Sequence, residues 1–86
     1  MQNARDMKEV DVLFAMAEIR RVLQASPAAA DTDCGIHGYW VNWIEPRPDL
    51  EVTTEALQRL KKQGEIDCRI LEDGGEIWCQ IRGKKS

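Results

Sequence analysis

The chain has few of the features that usually identify an enzyme or a membrane protein. It has one histidine among 86 residues, and it lacks a nucleophile motif, a glycine-rich phosphate loop and a pair of carboxylates in an apolar setting. We therefore expect no catalytic activity and no cofactor. Its apolar runs are far shorter than the roughly 20 residues that span a bilayer, and Asp6 and Glu9 lie where a signal peptide would be basic and then apolar. We expect a cytoplasmic protein that does not bind membranes.

Positive charge is also scarce. The chain has 12 Lys and Arg residues against 15 Asp and Glu residues, which gives a net charge of −3. This balance provides no overall attraction to nucleic acid, so DNA binding would depend on a local basic surface. The length allows one domain, and the apolar and charged fractions of 43% and 31% are those of a globular one. We expect a single domain over residues 1–86, with flexible ends at 1–5 and 83–86.

Cysteine occurs three times, an odd number that cannot pair completely. In a reducing compartment we expect free thiols. Two alternatives stay open on paper: a zinc site built from Cys34, His37, Cys68 and Cys79, and a cross-strand disulfide between Cys68 and Cys79. We favour buried thiols without a metal, because Cys68 and Cys79 both alternate with isoleucines.

The segment from 66 to 82 has the period of two that is typical of strands. Every second residue of its two arms is apolar: Ile66, Cys68, Ile70, Ile77, Cys79 and Ile81. A two-residue type I′ turn at Asp73 and Gly74 would place Ile70 opposite Ile77 and Cys68 opposite Cys79. This register predicts that all six side chains share the buried face, while Arg69 faces Trp78 on the outer side.

A short helix is predicted before this hairpin, over residues 53–63. Thr53 and Thr54 are residue types that begin helices, and Gly64 suits the left-handed residue that ends one. Apolar residues recur on one side of this helix at helical spacing: Ala56, Leu57 and Leu60. That side is therefore expected to be buried.

A longer helix is predicted from about Asp6 to Ala25, and it has two apolar stripes. The first consists of Val12, Met16, Ile19 and Leu23. The second consists of Val10, Leu13, Phe14 and Ala17. A surface helix of a monomer needs only one stripe, so either the small domain covers the helix on both sides or the second stripe is a homodimer interface.

The middle of the chain gives weaker signals. Pro27 ends the first helix, and residues 28–33 form a loop that could contribute a very short strand near Thr32. Residues 34–44 fit a helix with Ile36 and Trp40 on one side, although the glycines and the aromatic run from 39 to 41 also suit a strand. We favour the helix. The two prolines of segment 45–49 predict an extended connection.

The order helix, loop, helix, turn, helix, hairpin, with Leu57, Leu60, Gly64 and Ile66 spaced as they are, resembles a winged helix-turn-helix domain over residues 10 to 82. The sequence His37-Gly38-Tyr39 also resembles the opening of the second helix in PadR-like repressors. The resemblance implies an α+β fold of three helices followed by a two-stranded antiparallel hairpin, the wing. It also implies that the third helix enters the major groove of DNA.

Two departures from that pattern are evident. The connection between the second and third helices is long and stiff, and the wing tip at 72–76 is acidic where a wing that contacts phosphates would be basic.

The first functional hypothesis is a small DNA-binding protein, a homodimeric transcription regulator that uses helix 53–63 for recognition. The candidate contacts to double-stranded DNA are Thr53, Thr54, Gln58, Arg59, Lys61 and Lys62. The alternative is a protein-interaction module of the same fold that does not bind DNA. In that case the acidic wing and the first helix would contact a protein partner.

Overall fold

Three helices and a three-stranded antiparallel sheet form an α+β structure around an apolar core. The computed structural model describes residues 8–81. Its elements are, in order, α1 (Glu9–Ala25), β1 (Ala30–Asp31), α2 (Asp33–Gly35) with a π-helix that continues it (Ile36–Trp40), α3 (Leu50–Lys62), β2 (Ile66–Ile70) and β3 (Glu76–Gln80). The flexible ends predicted at 1–5 and 83–86 lie outside the described residues. The predicted α+β class is confirmed.

Helix α1 buries the first of its two apolar stripes and leaves most of the second at the surface. The buried residues are Val12, Ala15, Met16, Ile19 and Leu23. On the opposite side Val10, Leu13 and Ala17 are exposed, and Phe14 is half-buried. The rest of the described chain therefore covers only one side of α1. The expectation that the domain covers this helix on both sides is wrong.

The segment after β1 is helical, as favoured, but it ends at Trp40 rather than at 44. The Thr32 hydroxyl accepts a hydrogen bond from the Gly35 N–H at 3.1 Å and so caps the first turn. The helix stops because Val41 takes an extended conformation, with φ −97° and ψ 122°. Residues 41–49 then form an irregular connection with a cis Glu45–Pro46 bond.

Helix α3 begins at Leu50, three residues before the predicted start, because Asp49 rather than Thr53 is the extended residue that precedes it. The helix ends just before Gly64, as predicted. Gly64 has a φ of +82°, and the Glu65 N–H donates to the Leu60 carbonyl at 2.9 Å. This arrangement satisfies carbonyls that a helix end would otherwise leave without partners.

The sheet has the strand order β1-β3-β2, so the expectation of a two-stranded sheet is wrong. The third strand is β1, in which Ala30 lies opposite Cys79. It is only two residues long, and it lies close to the position near Thr32 where the sequence allowed a very short strand.

The predicted register of the hairpin is wrong by one residue. Cys68 lies opposite Trp78, and Ile70 lies opposite Glu76. The cause is the turn, which has three residues (72–74) instead of two. Gly74 takes the left-handed conformation with φ +92°, and its N–H donates to the Leu71 carbonyl at 2.9 Å.

Because one residue of register exchanges the faces of a strand, Trp78 is buried and Cys79 moves to the outer face. Cys68 and Cys79 therefore lie on opposite faces, and the pair that a disulfide or a zinc site would need is not formed. Arg69 lies opposite Ile77 instead of Trp78. The core consists of Val12, Ala15, Met16, Ile19, Leu23, Ile36, Val41, Val52, Ala56, Leu57, Leu60, Ile66 and Trp78.

Candidate nucleic-acid interface

Helix α3 has one buried side and one side toward solvent. The buried side consists of Val52, Thr53, Ala56, Leu57 and Leu60. On the other side Gln58, Lys61 and Lys62 are exposed and Thr54 is half-buried. The last turn is basic and the first turn has an acid, which matches the helix dipole. Four of the predicted contact residues therefore lie where a large ligand could reach them.

Thr53 is not among them, because its side chain is fully buried. Its Oγ1 lies 2.6 Å from Nδ1 of His37 in the π-helix. A side chain in this position has no surface to offer to a base or a phosphate. Thr53 instead joins the start of α3 to the π-helix.

Arg59 is already occupied by carboxylates. Its Nη2 donates a hydrogen bond to one Glu9 oxygen at 2.9 Å, and its Nη1 donates to the other. Its Nε donates to Glu55 at 2.8 Å. These contacts raise the pKa of Arg59, and the hydrogen bond from Arg59 lowers the pKa of Glu9. The guanidinium therefore ties α3 to the start of α1. The sequence signals only the Glu55 contact, at i,i+4, because Glu9 lies 50 positions away.

His37 is held by several elements at once. Beyond its contact with Thr53, its carbonyl accepts a hydrogen bond from the Trp43 indole at 2.9 Å. The two rings are 5.4 Å apart, and Trp43 also lies 5.7 Å from Phe14 of α1. Burial lowers the pKa of His37, and the positive charge of Arg47 lowers it further. No pattern in the sequence predicts this cluster, because its residues come from separate elements and share no periodic spacing.

This lowered pKa predicts a pH-dependent stability. The unfolded chain binds a proton near pH 6.5, the ordinary histidine pKa, whereas folded His37 resists protonation. Stability is therefore complete above that pKa and falls as the pH drops toward the lower folded pKa. We expect less resistance to urea at about pH 5 than at about pH 8, and a smaller difference in His37→Gln. An equal pH difference in both proteins would contradict the assignment to His37.

The hairpin tip is acidic and exposed, with Glu72, Asp73 and Glu76 at or beside the turn. Glu76 also lies near the thiol of Cys68, with 3.6 Å between Oε1 and Sγ. Burial and the negative charge of Glu76 raise the pKa of the Cys68 thiol, which therefore stays protonated and a poor nucleophile.

Among residues 8–81 there is no group of three or more His, Cys, Asp or Glu residues able to hold a metal ion. Over the same range, each helix is too short or too polar to cross a bilayer. Comparison of the chain with protein-family models, with curated proteins and with solved structures gave no match.

Proposed function

We propose that this chain is a winged helix-turn-helix protein that binds double-stranded DNA through α3. The observation that carries the proposal is the outward side of α3, where Gln58, Lys61 and Lys62 are exposed on a helix whose other side is anchored in the core. The element order is a second support. The elements follow one another as helix, strand, helix, helix and hairpin, and β1 pairs beside β3. In a winged helix with this order, β2 and β3 would form the wing next to α3.

The four outward residues divide by chemistry. Lys61 and Lys62 would neutralise phosphates and release counterions. Gln58 and Thr54 would reach base edges, and glutamine can make two hydrogen bonds to adenine. Arg59 is assigned to the contact between α3 and α1 rather than to DNA, because Glu9 and Glu55 already neutralise it.

A titration of duplex DNA at several salt concentrations tests this proposal. We expect binding whose affinity falls steeply with salt. Each phosphate contact contributes about 0.9 to the slope of log K against log salt, so Lys61→Ala combined with Lys62→Ala should lower it by about 1.8. Arg21→Gln is the matched control, because Arg21 lies on α1 and pairs with Glu18 in the same helix. Fluorescence polarisation with a labelled duplex measures these affinities.

Two results would contradict the proposal. The first is no saturable binding to any duplex at low salt by protein that circular dichroism shows to be folded. The second is a double lysine variant whose salt slope equals that of the wild type and of Arg21→Gln.

A second candidate function is favoured by the hairpin tip. Its acids would repel phosphates, and Ile70, at 66% exposure, places an apolar side chain beside them. A basic protein surface is the complementary partner. Reversing the charges with Glu72→Lys and Asp73→Lys distinguishes the two functions. Tighter duplex binding supports the first, while unchanged duplex binding with loss of protein capture from a cell extract supports the second.

A further inference from the structure

Arg59 of α3 holds a carboxylate in the geometry that an arginine uses for a phosphate. Both of its terminal nitrogens, Nη1 and Nη2, donate hydrogen bonds to Glu9, one to each carboxylate oxygen. A two-point contact of this kind is the usual way in which a guanidinium binds a carboxylate or a phosphate group. The Glu9 side chain therefore occupies the edge of the guanidinium that a phosphate would use.

The third nitrogen of Arg59 keeps the guanidinium in place. Nε donates to Glu55 of the same helix at 2.8 Å, at the i,i+4 spacing that favours ion pairs on helices. Because Glu55 binds only this nitrogen, loss of the Glu9 carboxylate would free Nη1 and Nη2 while Arg59 stays oriented on α3. Of the two carboxylates, Glu55 positions the guanidinium and Glu9 blocks it.

Arg59 lies beside the proposed DNA contacts of α3. Lys62 follows it by three residues, and residues at this spacing are neighbours on a helix surface. The side chains of Arg59 and Glu9 are 33% and 62% exposed, so solvent reaches both. An arginine freed at this position would contact a phosphate next to the one that Lys62 neutralises.

The blocking carboxylate lies on another helix and outside the core. Glu9 is the first residue of α1 and lies 50 positions before Arg59 in the chain. Exposed ion pairs contribute little to the stability of a fold and are screened by salt. Removal of the Glu9 charge is therefore expected to leave the fold intact while it changes the charge that α3 presents to a ligand.

We propose that Glu9 forms an autoinhibitory contact, in which its carboxylate withholds Arg59 from the phosphates of a nucleic acid. This role rests on the proposed DNA binding through α3 and adds a means of regulation to it. In the wild type, Lys61 and Lys62 supply the phosphate contacts. A change that neutralises Glu9 adds Arg59 to them.

The Glu9→Gln variant tests this role in the duplex titration at several salt concentrations. One added phosphate contact should steepen the slope of log K against log salt by about 0.9 and tighten binding roughly 5- to 10-fold at about 0.1 M salt. In an Arg59→Gln background, Glu9→Gln should have no such effect. Asp11→Asn is the matched control, because it removes one negative charge from the same first turn of α1, and it should leave the slope unchanged.

The possible failures are distinguishable. A Glu9→Gln variant that binds duplex DNA with the wild-type slope overturns the autoinhibitory contact and leaves DNA binding intact. An effect of Glu9→Gln that persists in the Arg59→Gln background, or that Asp11→Asn equals, also overturns it, because Glu9 would then act through its own charge. If neither the wild type nor Glu9→Gln binds any duplex at low salt while circular dichroism shows both to be folded, DNA binding itself is wrong and the autoinhibitory contact is wrong with it.

Discussion

Replacing Trp78 by alanine is expected to lower the free energy of unfolding by about 3 to 5 kcal/mol. The indole is 6% exposed and lies in the core with Ile36 and Leu57. Truncating it removes the largest apolar side chain of the core and leaves a cavity that the surrounding side chains cannot fill. A domain of this size has a total stability of roughly 4 to 13 kcal/mol, so the variant is expected to be partly unfolded in mild denaturant.

The matched control for this experiment is the neighbouring residue. Ile77 is half-buried on the outer face of the sheet, opposite Arg69. Ile77→Ala is expected to cost about 1 kcal/mol, since it opens no cavity in the core. Urea denaturation followed by far-ultraviolet circular dichroism measures both changes. A larger loss in Ile77→Ala than in Trp78→Ala would mean that the strand faces the other way, as the two-residue turn implied.

These two variants test the register of the hairpin, which the sequence pattern predicts wrongly by one residue. Counting apolar residues favours the wrong register, because that register puts six apolar residues on one face, whereas the observed register puts only four there, together with the polar Glu76 and Gln80. Side-chain size decides between them: a tryptophan removes on the order of 150 to 250 Å² from water, far more than a cysteine does. The three-residue turn ending at Gly74 permits the register that buries Trp78.

Local signals predicted other features correctly. The end of α3 at Gly64 and the buried stripe of α1 depend on residues within a few positions of one another, which is why their spacing is informative. The contacts that define the candidate interface are different in kind. Arg59 and Glu9 are 50 positions apart, and Thr53 and His37 are 16 positions apart. Contacts over such separations produce no periodic pattern in a single sequence, so the sequence does not predict them.

The start of α3 shows how one such contact changes the interpretation of a residue. With the helix predicted over residues 53–63, Thr53 is expected to cap its start and to lie among the DNA contacts. The helix instead begins at Leu50, one turn earlier, and this turns Thr53 inward against His37. The prolines at 46 and 48 limit how early the helix can begin, since the residue before each proline disfavours helical geometry.

Replacing Thr53 by valine is accordingly expected to lower the free energy of unfolding by about 1 to 3 kcal/mol. Valine has nearly the shape of threonine but no hydroxyl, so Nδ1 of half-buried His37 loses its partner. Thr54→Val is the matched control, because Thr54 is half-buried on the outward side of the same helix, and it should change stability by only about 0.5 kcal/mol. Urea denaturation at neutral pH measures both variants.

The same two variants separate a buried role from a contact role. If Thr53 touched DNA, Thr53→Val would weaken duplex binding and leave the stability unchanged. Its burial predicts the reverse: a loss of stability, with duplex affinity unchanged under conditions in which the variant stays folded. Under the proposed DNA binding, Thr54→Val should show the opposite pattern, because Thr54 would reach a base edge while contributing little to the core. A Thr53→Val variant as stable as the wild type would show that the contact with His37 does not hold the start of α3 in place.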